Sequence, residues 1–142
     1  MHRIMIAALA VLMLSGCVSK TPRGYSIAEA LAVPKFQVKL QGVAYYFGNQ
    51  GHPVVEQTFE TATSSARSTG SEVEKEIPCA RAFASALISL RRATMNAGGN
   101  AVINIKSNWK HRETSSETQY QCVMGLLMAG VALKGTVVRL RK

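Results

Sequence analysis

The chain has 142 residues but no hydrophobic run long enough to cross a bilayer as a helix, which takes about 20 apolar residues. Its two longest apolar runs, Ile4 to Leu14 and Leu126 to Leu133, are much shorter than that. Acidic residues are scarce in the C-terminal half, where Cys79 onward carries ten basic residues and two acidic ones, a net charge of +8. These absences argue against a membrane-spanning helix and favour a partner that carries negative charge.

Common motifs of enzymes and metal sites are also absent. There is no Gly-x-x-x-x-Gly-Lys-Ser/Thr loop to bind nucleotide phosphates, and no CxxC or HxxxH spacing to hold a metal ion. The basic residues lack the interleaved aromatic residues of single-strand nucleic-acid binders, so nucleic acid is not an expected partner. We therefore predict no catalytic site, no metal site and no cofactor.

The N-terminus has the three parts of a secretory signal. Met1 to Arg3 is basic, Ile4 to Leu14 is apolar, and small residues lead to Cys17. The ending Leu-Ser-Gly-Cys resembles the lipobox of bacterial lipoproteins, in which the signal is cut before the cysteine and the cysteine is acylated. That resemblance implies an anchor in the lipid bilayer through acylated Cys17. An ordinary secreted protein and an uncleaved N-terminal anchor are the alternatives.

The lipobox divides the chain into a signal peptide (1–16), a lipidated tether (17–34) and a single domain (35–142). Val18 and Ser19, rather than Asp, follow Cys17. Under the sorting rules of enteric bacteria this favours the outer membrane, with the domain facing the periplasm. Cys79 and Cys122 then remain as an even pair in an oxidising compartment. A disulfide between them would close a loop of about 44 residues and contribute roughly 4 kcal/mol to stability.

Apolar patterns predict an α+β fold, with one amphipathic helix on a mostly antiparallel sheet of four to six strands in the order β-β-α-β-β-(β). The helix begins at Cys79, buries Phe83, Leu87 and Leu90, and ends at Gly98. A capping box at Ser26 predicts a brief helix that Pro34 ends, and a coil near the membrane is the alternative. Strands are expected at Lys35–Gln41, continuing past a bulge at Gly42, at Val54–Thr61, at Asn100–Lys110, around Cys122, and once or twice after Leu126.

Two further expectations concern pairing and loops. The strands at Lys35–Gln41 and Val54–Thr61 should form a hairpin, and Thr61 to Gly70, rich in Ser and Thr, is expected as a surface loop. Alternation along Asn100–Lys110 predicts one buried face (Ala101, Ile103, Ile105, Ser107, Trp109) and one solvated basic face. That basic face, with Asn104, Lys106, Asn108, Lys110 and Arg112, is a candidate anion-binding site, although an ordinary wet sheet face is the alternative. Met124, Leu126, Leu127 and Met128 are interpreted as core, unless an exposed part serves a partner.

The residues offer three other possible chemistries. Cys79 with His111 could act as nucleophile and base, but a disulfide is the preferred role for Cys79. His52, His111, Cys79 and Cys122 could bind metal, but solvated loop histidines are preferred. Glu113 and Glu117 could act as paired carboxylates, but they share one polar loop.

At the level of whole motifs the chain resembles a family of small proteobacterial lipoproteins. The shared segments are Asn96 to Asn104, Ser115 to Thr118, Tyr120 to Cys122 and Met128 to Gly135. Members are often labelled an excinuclease ATPase subunit, and the missing phosphate-binding loop identifies that label as a naming error. More distantly, the chain resembles the disulfide-bonded domain of the Rcs phosphorelay outer-membrane stress-sensor lipoproteins, which have four structural cysteines rather than two.

The expected function is that of an envelope lipoprotein with a non-enzymatic binding, sensing or scaffolding role. Its expected partners are the bilayer, through Cys17, and an anionic envelope component or envelope protein. A periplasmic enzyme and a metal-binding envelope protein are the alternatives.

Overall fold

The computed structural model describes residues 21–70 and 76–142. Within them the chain forms ten elements, in the order β1 (Arg23–Ser26), α1 (Ile27–Leu31), α2 (Pro34–Lys39), β2 (Ala44–Phe47), β3 (Val55–Thr69), α3 (Glu76–Ala97), β4 (Ala101–Trp109), β5 (Arg112–Thr114), β6 (Gln119–Met124) and β7 (Met128–Leu140). One long helix, α3, packs on a seven-stranded, mostly antiparallel sheet. The predicted α+β class is confirmed. The signal peptide, Cys17 and the link 71–75 lie outside the described residues.

Strand β7 is the centre of the sheet. Along one edge it pairs with β3 over its whole length, from Thr69 opposite Met128 to Val55 opposite Leu140. On the other edge of β7, its first residues pair with β6 and its later residues pair with β4. Beyond these, β1 pairs antiparallel with β6, β5 with β4, and β2 runs parallel to β4. The apolar run after Cys122 therefore gives one long strand, because Gly130 lies within β7 and does not form a turn.

Helix α3 supplies most of the core. Phe83, Leu87 and Leu90 recur at helical spacing and are fully buried against β3 and β7, as the sequence predicts. Each such side chain contributes roughly 1.5–3 kcal/mol by leaving water. Gly98 follows the helix with φ +84°, a left-handed conformation that a residue without Cβ adopts without strain. The predicted stop is thus confirmed.

The first predicted strand is wrong. Residues Pro34–Lys39 form helix α2, with Pro34 in its first turn. Phe36 and Leu40 are buried but Val38 between them is 67% exposed, which is the spacing of one helical turn rather than of a strand. In a run this short, Phe36 and Leu40 fit the helix period as well as the strand period. The alternation of apolar residues alone therefore could not distinguish a strand from a short helix. Gly42 has φ +89° in the turn that follows, rather than forming a strand bulge.

The predicted hairpin and surface loop are wrong as well. Strand β2 pairs in parallel with β4, and β3 pairs with β7, so β2 and β3 are not partners. Strand β3 runs on to Thr69 through the segment expected to be a loop. Its more buried residues alternate there and are small (Ala62, Ser64, Ala66, Ser68). Such residues let α3 lie close to the strand, but they carry too little apolar surface to reveal the period.

Strand β4 follows the predicted alternation only in its second half. Asn104 adopts φ +52°, and the pairing register with β7 shifts between Ile103 and Lys106. The extra residue reverses the faces, so Val102 and Ile105 enter the main core. Ala101 lies instead in a smaller cluster on the other face of the sheet, with Val138 and Leu140. The predicted burial of Ile105 and Ser107 is confirmed, whereas Trp109 is half-exposed.

Residues 23–34, which the sequence analysis assigned to the tether, contribute to the fold. Strand β1 pairs with β6, and Ile27 and Ala30 of α1 are buried in the core. The predicted capping box is confirmed: the Ser26 hydroxyl accepts a hydrogen bond from the Glu29 amide at 3.2 Å. Within residues 21–70 and 76–142, no helix is both long and apolar enough to cross a membrane.

Candidate functional site

The two cysteines of the domain form a disulfide, as predicted. Cys79 in the first turns of α3 and Cys122 in β6 are bonded, with Cα atoms 5.9 Å apart. Both residues are almost completely buried. The bond fixes the start of the helix to the sheet, and in the bonded form neither sulfur is a thiolate that could attack a substrate or bind metal. The alternative in which Cys79 is a nucleophile and His111 its base therefore lacks a free thiol.

The predicted anion-binding residues do not form one row. Asn104 sits in the bulge, and Lys110 lies in the tight turn between β4 and β5, with φ +51°. Arg112 is the first residue of β5, opposite Trp109. Lys106 and Asn108 share a sheet face with Lys134 and Glu113, which are their cross-strand partners. The single basic face was predicted on the assumption that side chains alternate along the whole of β4. The bulge at Asn104 interrupts that alternation.

Glu113 neutralises part of the predicted site. Its carboxylate accepts a hydrogen bond from the Lys134 ammonium at 2.6 Å and from the Lys106 ammonium at 3.4 Å. These two hydrogen bonds, Lys134 first, and the charges of both lysines lower the pKa of Glu113 below its usual range. Lys106 therefore already has an anionic partner within the protein. The paired-carboxylate alternative is not supported either, because Glu113 faces lysines rather than Glu117.

Three exposed cations near Trp109, namely Arg67, Lys110 and Arg112, have no such partner among the described residues. We call these three residues, together with Trp109 and His111, the Trp109 surface. Its residues line two adjoining cavities of about 500 and 400 Å³, and Trp109 and Lys110 contribute to both. The indole also covers Gly130 of β7. Sequence reasoning missed Arg67 because it lay in the predicted loop, although alternation of Thr63, Ser65 and Arg67 was available as a signal of a strand face.

The turn between β6 and β7 adjoins the Trp109 surface. Leu126, Leu127 and Met128 are 81%, 70% and 42% exposed, so their assignment to the core is wrong. They lie at a tight turn, and no other helix or strand of the described residues covers their side chains. We call these three residues the leucine tip. A third cavity, of about 360 Å³, is lined by the tip together with Arg67 and Trp109, so the tip and the Trp109 surface are continuous.

A separate groove of about 560 Å³ lies between β1, α1, α2 and the start of α3. Tyr120 forms part of its wall and stacks on Phe83, with ring centres 4.1 Å apart. Charged side chains surround it, namely Glu29, Lys35, Glu76 and Arg81. Burial raises the pKa of Tyr120 above its usual range, so its hydroxyl stays protonated and does not serve as a base at neutral pH. Burial likewise raises the pKa of Tyr45, to about 12.

The remaining candidates are dispersed. The His52 ring contacts Tyr46, with centroids 5.7 Å apart, and one ring nitrogen lies 2.8 Å from the Pro53 carbonyl oxygen. His111 lies in the β4–β5 turn. Among the described residues no three His, Cys, Asp or Glu side chains are grouped to hold a metal ion. Comparisons with protein-family models, with curated proteins and with solved structures found no match to this chain.

Proposed function

We propose that this chain is a lipid-anchored envelope protein whose domain binds an anionic component of the envelope without catalysing a reaction. The lipobox ending at Cys17 supports the anchor. The buried disulfide of Cys79 and Cys122 supports an oxidising compartment, because such bonds persist outside the reducing cytosol. The observation that carries the binding role is the exposed positive charge of the Trp109 surface, which no carboxylate of the described residues neutralises.

That charge contrasts with the neighbouring sheet face. Lys106 and Lys134 share the carboxylate of Glu113. Arg67, Lys110 and Arg112 are exposed, and no carboxylate in residues 21–70 and 76–142 lies within ion-pair distance of them. Guanidinium and ammonium groups are donors suited to phosphate and carboxylate oxygens, and the Trp109 ring offers apolar area for the group that carries the anion. No geometry in the described residues favours the enzyme or metal-binding alternatives.

The intact mass of the protein extracted from its native membrane tests the anchor and the compartment. We expect a chain that begins at Cys17, heavier by its acyl groups, and lighter by two hydrogens until a reductant is added. An unlipidated chain with free thiols contradicts both parts of this proposal.

Binding can be followed through Trp109, the only tryptophan in the chain. We expect polyphosphate, a soluble polyanion, to change the Trp109 emission saturably and more weakly as salt increases. Lys110→Gln should weaken the affinity roughly twofold to fivefold, the usual range for one exposed charge pair. Lys39→Gln, in the last turn of α2, removes the same charge elsewhere and should have no effect. If no polyanion alters the emission, or both variants behave alike, the Trp109 surface is not the binding site.

A further inference from the structure

We propose that the leucine tip and the Trp109 surface together dock onto an anionic phospholipid bilayer, the same membrane in which acylated Cys17 is held. This inference rests on the proposed lipid anchor and identifies the partner of the Trp109 surface. Three features of this end of the domain support it, namely the apolar tip, the point where the chain enters and the distribution of charge.

The leucine tip is an exposed apolar turn that backbone hydrogen bonds hold in place. The Gly125 amide donates to the Met128 carbonyl oxygen at 2.7 Å, and the Gly70 amide donates to the Leu127 carbonyl oxygen at 2.9 Å. The turn is therefore closed by its own hydrogen bond and held to the end of β3. Two adjacent leucines on such a turn expose apolar surface to water. Transfer of that surface to the acyl region of a bilayer is favourable.

The chain enters the domain at the same end. Arg23 pairs with Cys122 in an antiparallel ladder, so the end of β1 at which the chain enters is the end nearer the leucine tip. Thr21 and Pro22 line one cavity with Trp109, Lys110 and Arg112. Thr21 is four positions after Cys17, and a fully extended chain of four steps spans at most about 14 Å. A lipid on Cys17 thus brings this end of the domain to the membrane surface.

Charge and side-chain type at this end suit a phospholipid interface. Tryptophan is enriched at the headgroup level of membranes, and exposed Lys and Arg are attracted by anionic lipids. Gly130, which Trp109 covers, alternates with the core residues Ala129 and Val131, so Trp109 lies on the sheet face opposite α3. Attraction to anionic lipid is therefore expected from the exposed cations Arg67, Lys110 and Arg112 of the Trp109 surface.

The test uses the full lipidated chain reconstituted in vesicles of phosphatidylethanolamine and phosphatidylglycerol, with Trp109 fluorescence as the reporter. We expect quenching by lipids brominated near the headgroup and protection from iodide in the aqueous phase. In vesicles without phosphatidylglycerol, the ratio of docked to undocked protein should fall, by about fivefold for each cation that loses its attraction.

A double variant, Leu126→Glu/Leu127→Glu, should lose quenching by brominated lipids and become accessible to iodide, while still floating with the vesicles through its acyl chains. Met95→Glu is the matched control, since Met95 is 53% exposed near the opposite end of α3. It should behave as the unmodified chain. Both changes are at exposed positions, and thermal unfolding of the two variants should match the unmodified chain.

The outcomes separate the two proposals. A chain that does not float with vesicles overturns the lipid anchor, and the docking proposal falls with it. A chain that floats but whose Trp109 is unquenched and open to iodide overturns docking alone and leaves a protein as the occupant of the surface. Equal quenching with and without phosphatidylglycerol overturns the anionic part of the proposal.

Discussion

The indole of Trp109 occupies the position that a side chain on Gly130 would need: a Cβ built there would stand 2.7 Å from the ring. A contact that short is repulsive, so the tryptophan lies over the strand only because residue 130 has no side chain. Trp109 is also the residue that joins the cavities of the Trp109 surface to the leucine tip. Its position therefore links the packing of β7 to the proposed binding site.

Gly130→Ala should displace the indole and alter the proposed site. Because the ring is half-exposed and able to move, we expect the stability loss to be about 1 kcal/mol, at the low end of the range for overpacking. The Trp109 emission maximum should shift and polyphosphate binding should weaken. Gly51→Ala is the control, since nothing lies within 4 Å of a Cβ there. An unchanged emission spectrum in Gly130→Ala would contradict the contact.

Gly135→Ala should destabilise the fold more than Gly130→Ala does. A Cβ at Gly135 would stand 2.5 Å from a methyl group of Val102 and 3.1 Å from Ile105, and both of these residues are fully buried. Since neither can move into solvent, we expect a loss of about 2–3 kcal/mol in the free energy of unfolding, measured by urea denaturation. A loss equal to or smaller than that of Gly130→Ala would show that the core around β4 is looser than the structure indicates.

Removing the disulfide should lower stability without altering the proposed binding. Cys79→Ala/Cys122→Ala opens a loop whose closure is worth roughly 4 kcal/mol on the chain-entropy estimate. Chemical denaturation with and without reductant measures the effect. Reductant should destabilise the unmodified chain by a similar amount and leave the variant unchanged. If the folded variant no longer binds polyphosphate, the cysteines have a role beyond stabilising the domain.

Glu113 should give the domain an acid-sensitive stability. Its pKa is lowered in the folded state by hydrogen bonds from Lys134 and then Lys106, so its contribution is present above the unfolded pKa of about 4.3. That contribution is lost as pH falls through the lower folded pKa. Glu113→Gln should therefore reduce the loss of stability measured by denaturation below about pH 5. Added salt should reduce the difference, because the carboxylate is exposed.

The same substitution has a second expected effect. Without the carboxylate, Lys106 and Lys134 lose the ion pairs that now neutralise them. Polyphosphate should bind Glu113→Gln more tightly than the unmodified chain. Glu117→Gln, which removes one negative charge from the neighbouring loop, serves as the control. If both variants bind equally tightly, net charge rather than the release of these two lysines explains the gain.

The sequence by itself determined the parts of this protein that depend on neighbours along the chain. Phe83, Leu87 and Leu90 repeat at helical spacing, and Gly98 ends that helix, so α3 was predictable. Ser26 and Glu29 defined α1 through a bond between residues three apart. Only Cys79 and Cys122 lie within the predicted domain, so only one pairing of its cysteines was possible, and the structure forms that pair.

Only the tertiary structure decided what depends on distant partners. The small residues of β3 form a strand because they pair with β7 along its whole length, and their small size lets α3 pack close to the sheet. The bulge at Asn104 reverses the faces of β4, and no local signal marks it. Glu113 forms ion pairs with Lys106 and Lys134 because the register of β4, β5 and β7 brings these three residues together. The leucines at 126 and 127 are exposed because a turn falls there, where no other element of the described fold covers them.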